Sequence, residues 1–294
     1  PMTATFTAKD VQELHQRTGA GMMDCKKALE ENQGNMEAAI DFLRKKGIAK
    51  AEKRAGRSAS EGVVVVEIAP GGRAGVIVEV NSETDFVARN ADFQALAKGI
   101  AQHALATPGA GDAETLLAAP VAAQSGKKLE EHVKEQAAVM GEALQLRRAA
   151  RFEGATGVVG SYVHFNGKVG VLVEVEAANG SDDAALATLA NTIAEHAAAT
   201  NPLGLDESTV PADVIARERA IYEEQTRAEG KPEAMIGKIV DGKVARFYKE
   251  VALLHQEWVR DPKTKVSQLV ADAGKQVGAP VTVKRFVRFQ VGAE

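Results

Sequence analysis

The stretch GVVVVEIAPGGRAGVIVEV, residues 62–80, returns later in the chain as GVVGSYVHFNGKVGVLVEV, residues 157–175. Each copy has two apolar runs around a turn that contains glycine, a pattern that predicts a β-hairpin. A helical pattern follows each hairpin, because IAQHA at 100–104 is answered by IAEHA at 193–197. The sequence therefore predicts a core built from two copies of one hairpin–helix unit.

The two copies differ in the loop between the hairpin and the helix. The first copy has NSETDFVARN, residues 81–90, in which Phe86 follows Asp85 in an otherwise polar turn. The second copy has EAANGSDDAAL, which lacks an aromatic residue and shortens the loop by two residues. Read locally, Phe86 is expected to tuck under the loop or to staple the next helix. The repeat favours a role for Phe86 in binding a partner, because the shared scaffold does not require it.

Residues 7–55 predict three short helices. Thr7 is typical of an N-cap, and TGAG at 18–21 interrupts the helical pattern. Met22 and Met23 are neighbours, so we expect one of them to be exposed, as in adaptable binding surfaces. A wide apolar face is an equal alternative at this stage.

The segments around the second hairpin are predicted from their periodicity. Residues 107–126 are rich in Ala, Pro and Gly and predict a loose connection. Residues 127–151 predict one long helix with Gly141 inside it, at a cost of about 1 kcal/mol relative to Ala. Such a glycine indicates close approach of another backbone, in this chain or in a partner. A short helix at 263–275 and a strand at 280–292 are expected to close the chain.

A helical hairpin is predicted after Pro211, with Gly230 and Pro232 at its turn. Its apolar stripe is read as Val214, Glu218, Ile221 and Gln225 on the first helix, and as Met235, Ile236, Ile239, Val240, Val244, Phe247 and Val251 on the second. Two helices cannot bury two faces by themselves. The hairpin is therefore expected either to project and pack on another chain or to lie on its own core.

Composition limits the class of protein. The chain has 294 residues, 45% of them hydrophobic, with a net charge of −4 and a single cysteine. This length can supply two or more cores, and one cysteine excludes an internal disulfide. Cys25 fits a small core residue better than a nucleophile. No run of 18 apolar residues and no leader before the first helix are present, so we expect a cytoplasmic protein that does not enter the membrane.

The sequence offers no catalytic signature. It contains neither GxxxxGK[ST] nor GxGxxG after a strand, and it lacks GxSxG, HExxH and any cysteine cluster. His103 and His196 occupy matching places in the two copies, which favours scaffold packing over catalysis. We therefore expect a binding protein that is not an enzyme, with no catalytic residue, no cofactor and no metal site.

Two longer motifs resemble a known family. TGAGMMDCKKAL at 18–29 and TDFVARN at 84–90 are similar to the two signature motifs of bacterial elongation factor Ts, and the resemblance covers nearly the whole chain. It implies an α+β fold with an N-terminal three-helix domain of the ubiquitin-associated type, a core of two repeated antiparallel-sheet and helix subdomains, and a projecting helical hairpin. The implied division is 1–57 for the three-helix domain, 58–153 for the first core subdomain, 154–208 with 255–294 for the second, and 209–254 for the hairpin.

The resemblance also implies a function and a site. The family binds elongation factor Tu carrying GDP, displaces Mg²⁺ and promotes GDP release so that GTP can be loaded. By position, Thr84, Asp85, Phe86 and Val87 form the loop that enters the partner's GTP-binding domain, with Phe86 in an apolar pocket and Asp85 beside it. Further contacts to that domain are implied for Met22, Met23, Lys26, Met140, Gly141 and Val251, and one contact to the third domain is implied for His164.

Assembly and alternatives complete the expectations. Family members with a full helical hairpin pair through it, which implies a 2:2 assembly with elongation factor Tu. Some members carry an extra C-terminal helix, a contact not expected here because the sequence stops at Glu294. The alternative function is an RNA-binding accessory protein using residues 44–57, where seven Lys and Arg stand against Glu52 alone. Without interleaved aromatic residues, a solvated helix end running into a linker at 55–60 is the better reading, and no direct nucleic-acid contact is expected. An enzyme with an unrecognised site ranks last.

Overall fold

The computed structural model describes residues 6–54, 56–180 and 183–293, without the side chains at positions 48, 51 and 52. The chain is a mixed α+β protein, as the sequence predicts. It forms two compact units: one contains Pro1–Val64, Val78–Ala149 and Val291–Glu294, and the other contains Val65–Ile77 and Ala150–Gln290. The finer four-part division stays a prediction.

The helices and strands alternate along the chain. The helices are α1 (Ala8–Thr18), α2 (Met22–Glu31), α3 (Met36–Arg54), α4 (Asp85–Ala88), α5 (Ala91–Ala106), α6 (Ala113–Ala118), α7 (Leu129–Met140), α8 (Asp183–Thr200), α9 (Ala212–Ala228), α10 (Glu233–Val251) and α11 (Val266–Val277). The strands are β1 (Glu61–Ile68), β2 (Ala74–Ser82), β3 (Pro120–Val121), β4 (Lys127–Lys128), β5 (Leu144–Glu153), β6 (Val158–Val163), β7 (Val169–Ala177), β8 (Glu257–Trp258), β9 (Asp261–Lys265) and β10 (Val281–Gln290).

The three N-terminal helices form as predicted and share a small core. Thr7 caps α1: its hydroxyl accepts the Asp10 amide, and the Asp10 carboxylate accepts the Thr7 amide at 2.6 Å. The buried apolar residues of this core are Val11, Leu14, Cys25, Ala28, Leu29, Ala39 and Leu43. Helix α3 continues through the basic run to Arg54, and position 55 of the predicted linker lies outside the described residues.

Both predicted hairpins are present, and each is followed by its predicted helix. The first sheet has the order β1-β2-β5, and α5 covers Ala91–Ala106 as expected. The second sheet has the order β10-β7-β6, with Val158 of β6 opposite Val175 of β7. The core of the second sheet buries apolar residues of β7 and α8, including Val173 and Ile193.

The repeat extends further than the hairpins. Helix α7 ends at Gly141 (φ +77°) and leads into β5, just as α11 ends at Gly278 (φ +74°) and leads into β10. The predicted long helix over 127–151 is therefore wrong, because Gly141 takes a left-handed conformation that stops α7. No backbone of the described chain approaches Gly141, since no atom lies within 4 Å of an added Cβ, and close approach of a partner's backbone stays a prediction.

A glutamate–arginine ion pair sits at the same place in each copy. Glu79 of β2 is fully buried, and its Oε2 accepts a hydrogen bond from the Arg148 Nε at 2.7 Å. Glu174 of β7 is also buried and accepts from the Arg285 Nε at 2.6 Å. Arg148 and Arg285 stand at matching positions of β5 and β10, so this pair belongs to the repeated scaffold.

The glycine at position 157, beside Glu174, is required for steric reasons. A Cβ at Gly157 would lie 2.4 Å from Glu174 Oε1. Its counterpart Gly62 adopts φ +147°, and a Cβ there would lie 2.1 Å from the Val80 carbonyl oxygen. Both glycines therefore allow the strand to approach its neighbour closely.

The helical hairpin of α9 and α10 packs largely on itself. Ile236, Val240 and Val244 of α10 are buried, as predicted for that helix. On α9 the predicted stripe is one residue out of register. The residues that face α10 are Ile215 and Tyr222, whereas Ile221 is exposed. The bulky pair seven residues apart supplies more apolar area than the predicted stripe, which includes Glu218 and Gln225.

Two predicted segments are more ordered or shorter than expected. The connection over 107–126 contains α6 and β3, which pairs with β4. The helix expected at 263–275 begins at Val266, because residues 261–265 form β9 instead. Within the described ranges, no helix has both the length and the apolar character needed to cross a bilayer.

His196, one of the two matched histidines, is held by hydrogen bonds inside the scaffold. His196 is fully buried, its Nε2 lies 2.8 Å from Gln256 Oε1, and its Nδ1 accepts the Val259 amide at 3.3 Å. Packing explains His196, as predicted. Burial lowers the pKa of His196, an effect that the hydrogen bond to Gln256 opposes. Burial also lowers the pKa of His103.

The buried His196 predicts a loss of stability in mild acid. The unfolded state binds the proton more readily, so the free energy of unfolding should fall as the pH drops below the ordinary histidine value of 6.5. His196→Gln should make this decline shallower, which urea unfolding between pH 7.5 and 5.5 measures (both limits are about one unit either side of that value). An unchanged pH slope in the variant would contradict the assignment.

Candidate functional site

The loop that sets the first copy apart is a single helical turn. Strand β2 ends at Ser82, and α4 spans Asp85–Ala88 with Thr84 as its N-cap. The Thr84 hydroxyl accepts the Val87 amide at 3.4 Å, and the Thr84 carbonyl accepts the Ala88 amide at 3.1 Å. The polar turn predicted from the sequence is thus helical. We call Thr84–Val87 the Phe86 segment.

Phe86 points into solvent. Its side chain is 84% exposed, whereas Ala88 in the same turn is buried. The local interpretation, in which Phe86 tucks under the loop or staples α5, is therefore wrong. An aromatic ring this exposed contributes little to the stability of the isolated chain, and it is the kind of side chain that anchors protein interfaces.

The exposure of Phe86 does not come from a loose backbone. The Ser82 hydroxyl donates to the Thr84 carbonyl at 3.0 Å, and the Gln94 side chain of α5 donates to the Ala88 carbonyl at 2.6 Å. Residues 83 and 84 are also bonded to residues 142 and 143. Hydrogen bonds thus hold the turn on both sides of the exposed ring.

Asp85 is paired within its own turn. Its carboxylate lies 2.9 Å from the Arg89 guanidinium, with the Asp85 side chain 42% exposed and that of Arg89 81% exposed. Ion pairs this exposed stabilise a protein by about 0–1 kcal/mol. Asp85 can therefore exchange Arg89 for another donor at little cost.

Met140 and Gly141 lie next to the contacts of the Phe86 segment. Met140 is the last residue of α7, and Gly141 caps that helix by donating its amide to the Ala137 carbonyl at 3.0 Å. Glu142, the following residue, binds Thr84. Met140 and Gly141 therefore lie directly before a residue that contacts the Phe86 segment.

Met22, Met23 and Lys26 lie on α2. Both methionines are exposed, Met22 at 47% and Met23 at 77%, so the surface extends beyond the one residue that we expected. The Lys26 ammonium lies 3.9 Å from Glu30, and both side chains are more than half exposed. These three residues form an apolar and cationic surface on an element separate from the Phe86 segment.

Helix α3 holds the three-helix unit against α7, the helix that leads to Gly141. A Cβ at Gly47 would lie 2.9 Å from the Ala138 Cβ, and Arg44 forms an ion pair with Glu135. A close helix contact and an ion pair therefore connect α3 to α7. Helix α3 packs against α2, which carries Met22 and Met23, and α7 leads to Gly141.

His164 and Val251 belong to the other compact unit. His164 begins the turn between β6 and β7, and its Nδ1 lies 3.1 Å from the Tyr162 hydroxyl. Val251 ends α10, half-buried, and its carbonyl accepts the Leu203 amide at 2.8 Å. The site residues are thus distributed between the two units, with His164 and Val251 in one and the others in the second.

Sequence reasoning missed Phe165. It is 91% exposed, and its ring centroid lies 4.5 Å from that of His164. The signal was available, because an aromatic residue at a hairpin turn is as unusual as Phe86 in its polar loop. The pair makes the turn between β6 and β7 a second exposed aromatic feature.

Cys25 is a core residue, as predicted. Its Sγ lies 3.3 Å from the Ala20 carbonyl oxygen, to which it donates. Burial raises the pKa of the Cys25 thiol, which keeps it protonated and weakly nucleophilic. Among the residues that the structure describes, no three His, Cys, Asp or Glu side chains are grouped so that they could hold a metal ion.

Comparison with known proteins places this site in a family. The sequence profile described as Elongation factor TS matches residues 83–293, a span that includes the Phe86 segment. Elongation factor Ts of Trichlorobacter lovleyi is 46% identical over 289 residues, which cover 98% of this chain and 93% of that protein. The chain belongs to the elongation factor Ts family. Elongation factor Ts of Sphingopyxis alaskensis is 50% identical over 294 residues, with the same coverage of both chains.

Family membership assigns the chain to translation elongation. In this member of the elongation factor Ts family, the profile match begins one residue before Thr84. The alignment with whole relatives is longer and also covers α1–α3. The resemblance stated from the two motifs is confirmed.

Gly141 provides a stability test with a matched control. Gly141→Ala places a side chain at φ +77° where no atom crowds it, so the strain alone should lower the free energy of unfolding by about 1–2 kcal/mol. Gly99→Ala in α5, also uncrowded, should raise it by up to about 1 kcal/mol. Urea unfolding of both variants measures the two shifts, and shifts of the same sign would contradict the C-cap assignment.

Proposed function

We propose that the chain is the guanine-nucleotide exchange factor of elongation factor Tu. The observation that carries the proposal is the 84% exposed Phe86 on a hydrogen-bonded turn, an aromatic residue that has no counterpart in the sequence of the second copy. The factor binds elongation factor Tu–GDP, displaces Mg²⁺ and promotes GDP release. The family's place in translation elongation supports this reading.

Phe86 acts as a wedge in this mechanism. The ring enters an apolar pocket of the partner's GTP-binding domain near the Mg²⁺ site, and Asp85 leaves Arg89 to bind a polar group beside that pocket. Mg²⁺ bridges the phosphates in such domains, so its loss leaves their charge less compensated. The factor weakens GDP binding, and GDP weakens factor binding by the same ratio. No bond-making chemistry is required of this chain.

The free energy for this coupling comes from burial of the exposed side chain. Full burial of a Phe side chain contributes about 1.5–3 kcal/mol, which corresponds to a change in affinity of roughly tenfold to one hundredfold. Because the turn is held by hydrogen bonds in the free chain, little conformational entropy is lost on binding. Most of the free energy of burying Phe86 is therefore available to weaken GDP binding by the partner.

The remaining site residues extend the contact. We assign Met22, Met23 and Lys26 to one surface of the GTP-binding domain, and Met140 and Gly141 to support around the wedge. Val251 adds a further contact to that domain. His164 contacts the partner's third domain. In this proposal the four segments 1–57, 58–153, 154–208 with 255–294, and 209–254 are the functional divisions of the chain.

The RNA-binding alternative is less well supported. Several cations of residues 44–57 already have acidic partners: Lys46 lies 3.0 Å and Lys50 3.6 Å from Asp24. Arg57 lies 3.5 Å from Glu83. Binding phosphates through these side chains would require breaking ion pairs that the fold makes, which favours a structural role for the run.

Phe86→Ala tests the wedge. The variant should reduce the acceleration of GDP release from elongation factor Tu by about tenfold or more, measured with a fluorescent GDP analogue in stopped flow. Its free energy of unfolding should stay within about 0.5 kcal/mol of the wild-type value, because an exposed ring does not stabilise the fold. Val259→Ala, at another exposed apolar residue, should leave the rate unchanged. Wild-type exchange by folded Phe86→Ala would contradict the proposal.

The helical hairpin supplies the second part of the proposal, a 2:2 assembly with elongation factor Tu. Ile221 on α9 and Met235 on α10 are 39% and 51% exposed, outside the cluster that the hairpin buries. Light scattering should give the wild-type complex the mass of two copies of each chain. The double variant Ile221→Glu/Met235→Glu should halve that mass and still promote GDP release. A wild-type complex with one copy of each chain would contradict pairing.

A further inference from the structure

Two glutamates bind the start of the Phe86 segment to the residues between α7 and β5. Glu142 Oε1 accepts the Thr84 hydroxyl at 2.6 Å, and Glu142 Oε2 accepts the Thr84 amide at 3.0 Å. In the opposite direction, Glu83 Oε1 accepts the Ala143 amide at 2.8 Å. We call these three hydrogen bonds the carboxylate clamp.

The clamp is built from strong and partly shielded bonds. Hydrogen bonds to an ionised carboxylate are shorter and roughly twice as strong as neutral ones. Glu83 and Glu142 are half-buried, and Ala143 is buried. Water therefore competes poorly for these groups, and the two-pronged contact of Glu142 fixes both the backbone and the side chain of Thr84.

Thr84 is the residue through which the clamp can orient Phe86. It is the N-cap of α4, a helix of only four residues. A single turn is unfavourable alone, because fixing its dihedral angles costs more than its few hydrogen bonds return. Phe86 stands two residues after Thr84, so the orientation of the exposed ring depends on how Thr84 is held.

The second copy of the repeat shows that the scaffold does not need these carboxylates. At the positions that match Glu83 and Glu142, it has Ala178 and Ala279. There the loop is joined to the strand by a backbone hydrogen bond, from the Ala178 amide to the Pro280 carbonyl at 2.9 Å. The carboxylates therefore occur only in the copy that also has the exposed aromatic ring.

We propose that Glu142, with Glu83, is a positioning residue for exchange: the carboxylate clamp aims Phe86 at the partner before binding. This inference rests on the proposed exchange function. In its absence the scaffold would still close, and the one-turn helix would sample orientations that cannot insert the ring. Glu142 acts through Phe86 and makes no contact with nucleotide.

The test compares GDP release from elongation factor Tu as the factor concentration is varied. Glu142→Ala should raise the concentration that gives half-maximal acceleration by about tenfold, the effect of losing roughly one charge-assisted bond. Glu142→Gln keeps one acceptor oxygen and should recover part of the loss. Glu131→Ala, at an exposed glutamate of α7, is the matched control and should behave as wild type.

A double variant separates positioning from general damage to the fold. If Glu142 acts through the ring, Glu142→Ala should have no further effect in the Phe86→Ala background. Additive losses would overturn the proposal, as would wild-type kinetics of folded Glu142→Ala. If Glu142→Ala does not fold, Glu142→Gln, which weakens the clamp and leaves the Thr84 cap of α4 in place, takes its role, and the same outcomes apply to it.

Hydrogen exchange gives a readout that does not depend on the partner. The Thr84 amide should be protected in the wild-type chain and should exchange at least about tenfold faster in Glu142→Ala. An unprotected Thr84 amide in the wild-type chain would overturn the clamp itself. Failure of the wild-type chain to accelerate GDP release would instead refute the exchange function, and with it the role of the clamp. If the wild-type chain accelerates GDP release and Glu142→Ala does so equally well, the positioning role alone would be refuted.

Discussion

A buried glutamate–arginine pair sets the frame on which the rest of the structure depends. Glu79 pairs with Arg148 in one copy, and Glu174 pairs with Arg285 in the other. A buried carboxylate requires its partner, so a slip in register would leave an unpaired charge at a cost of about 3–5 kcal/mol. Beyond the ends of β2 and β5 that lie nearest to the Phe86 segment, residues 83 and 84 bond residues 143 and 142. The ion pair therefore joins the two strands that lead to the Phe86 segment and to the residues that bind it.

In the proposed function, this arrangement lets the chain weaken the binding of GDP by its partner through contacts. The scaffold holds the Phe86 segment in place, and burial of the exposed Phe86 ring supplies the free energy that weakens GDP binding. The methionine surface on α2 and the turn at His164 and Phe165 add contact area in the same proposal. Each is presented on a helix or a hairpin, elements that hold a side chain more firmly than a long loop does. Exchange then becomes a coupling between two binding events rather than a reaction.

The sequence predicted the features that depend on local pattern. Apolar runs around turns that contain glycine gave both hairpins, and Thr7 ahead of a helical pattern gave the cap of α1. It missed features decided by tertiary contacts. The apolar spacing after Leu129 fits a helix through residue 151, and only the left-handed conformation of Gly141 shows that α7 stops. Glu142 lies far from Thr84 in sequence, so the clamp could not be inferred. Phe86 was found because two copies of one unit could be compared.

The central claim is that this chain loosens GDP from elongation factor Tu by contact alone. The most direct measurement is the rate of GDP release from purified elongation factor Tu with the factor present in amounts far below those of its partner. The account predicts that the whole GDP pool exchanges faster, since each factor molecule is released and acts again. A release rate that stays at its intrinsic value, even with the factor in excess, would contradict it.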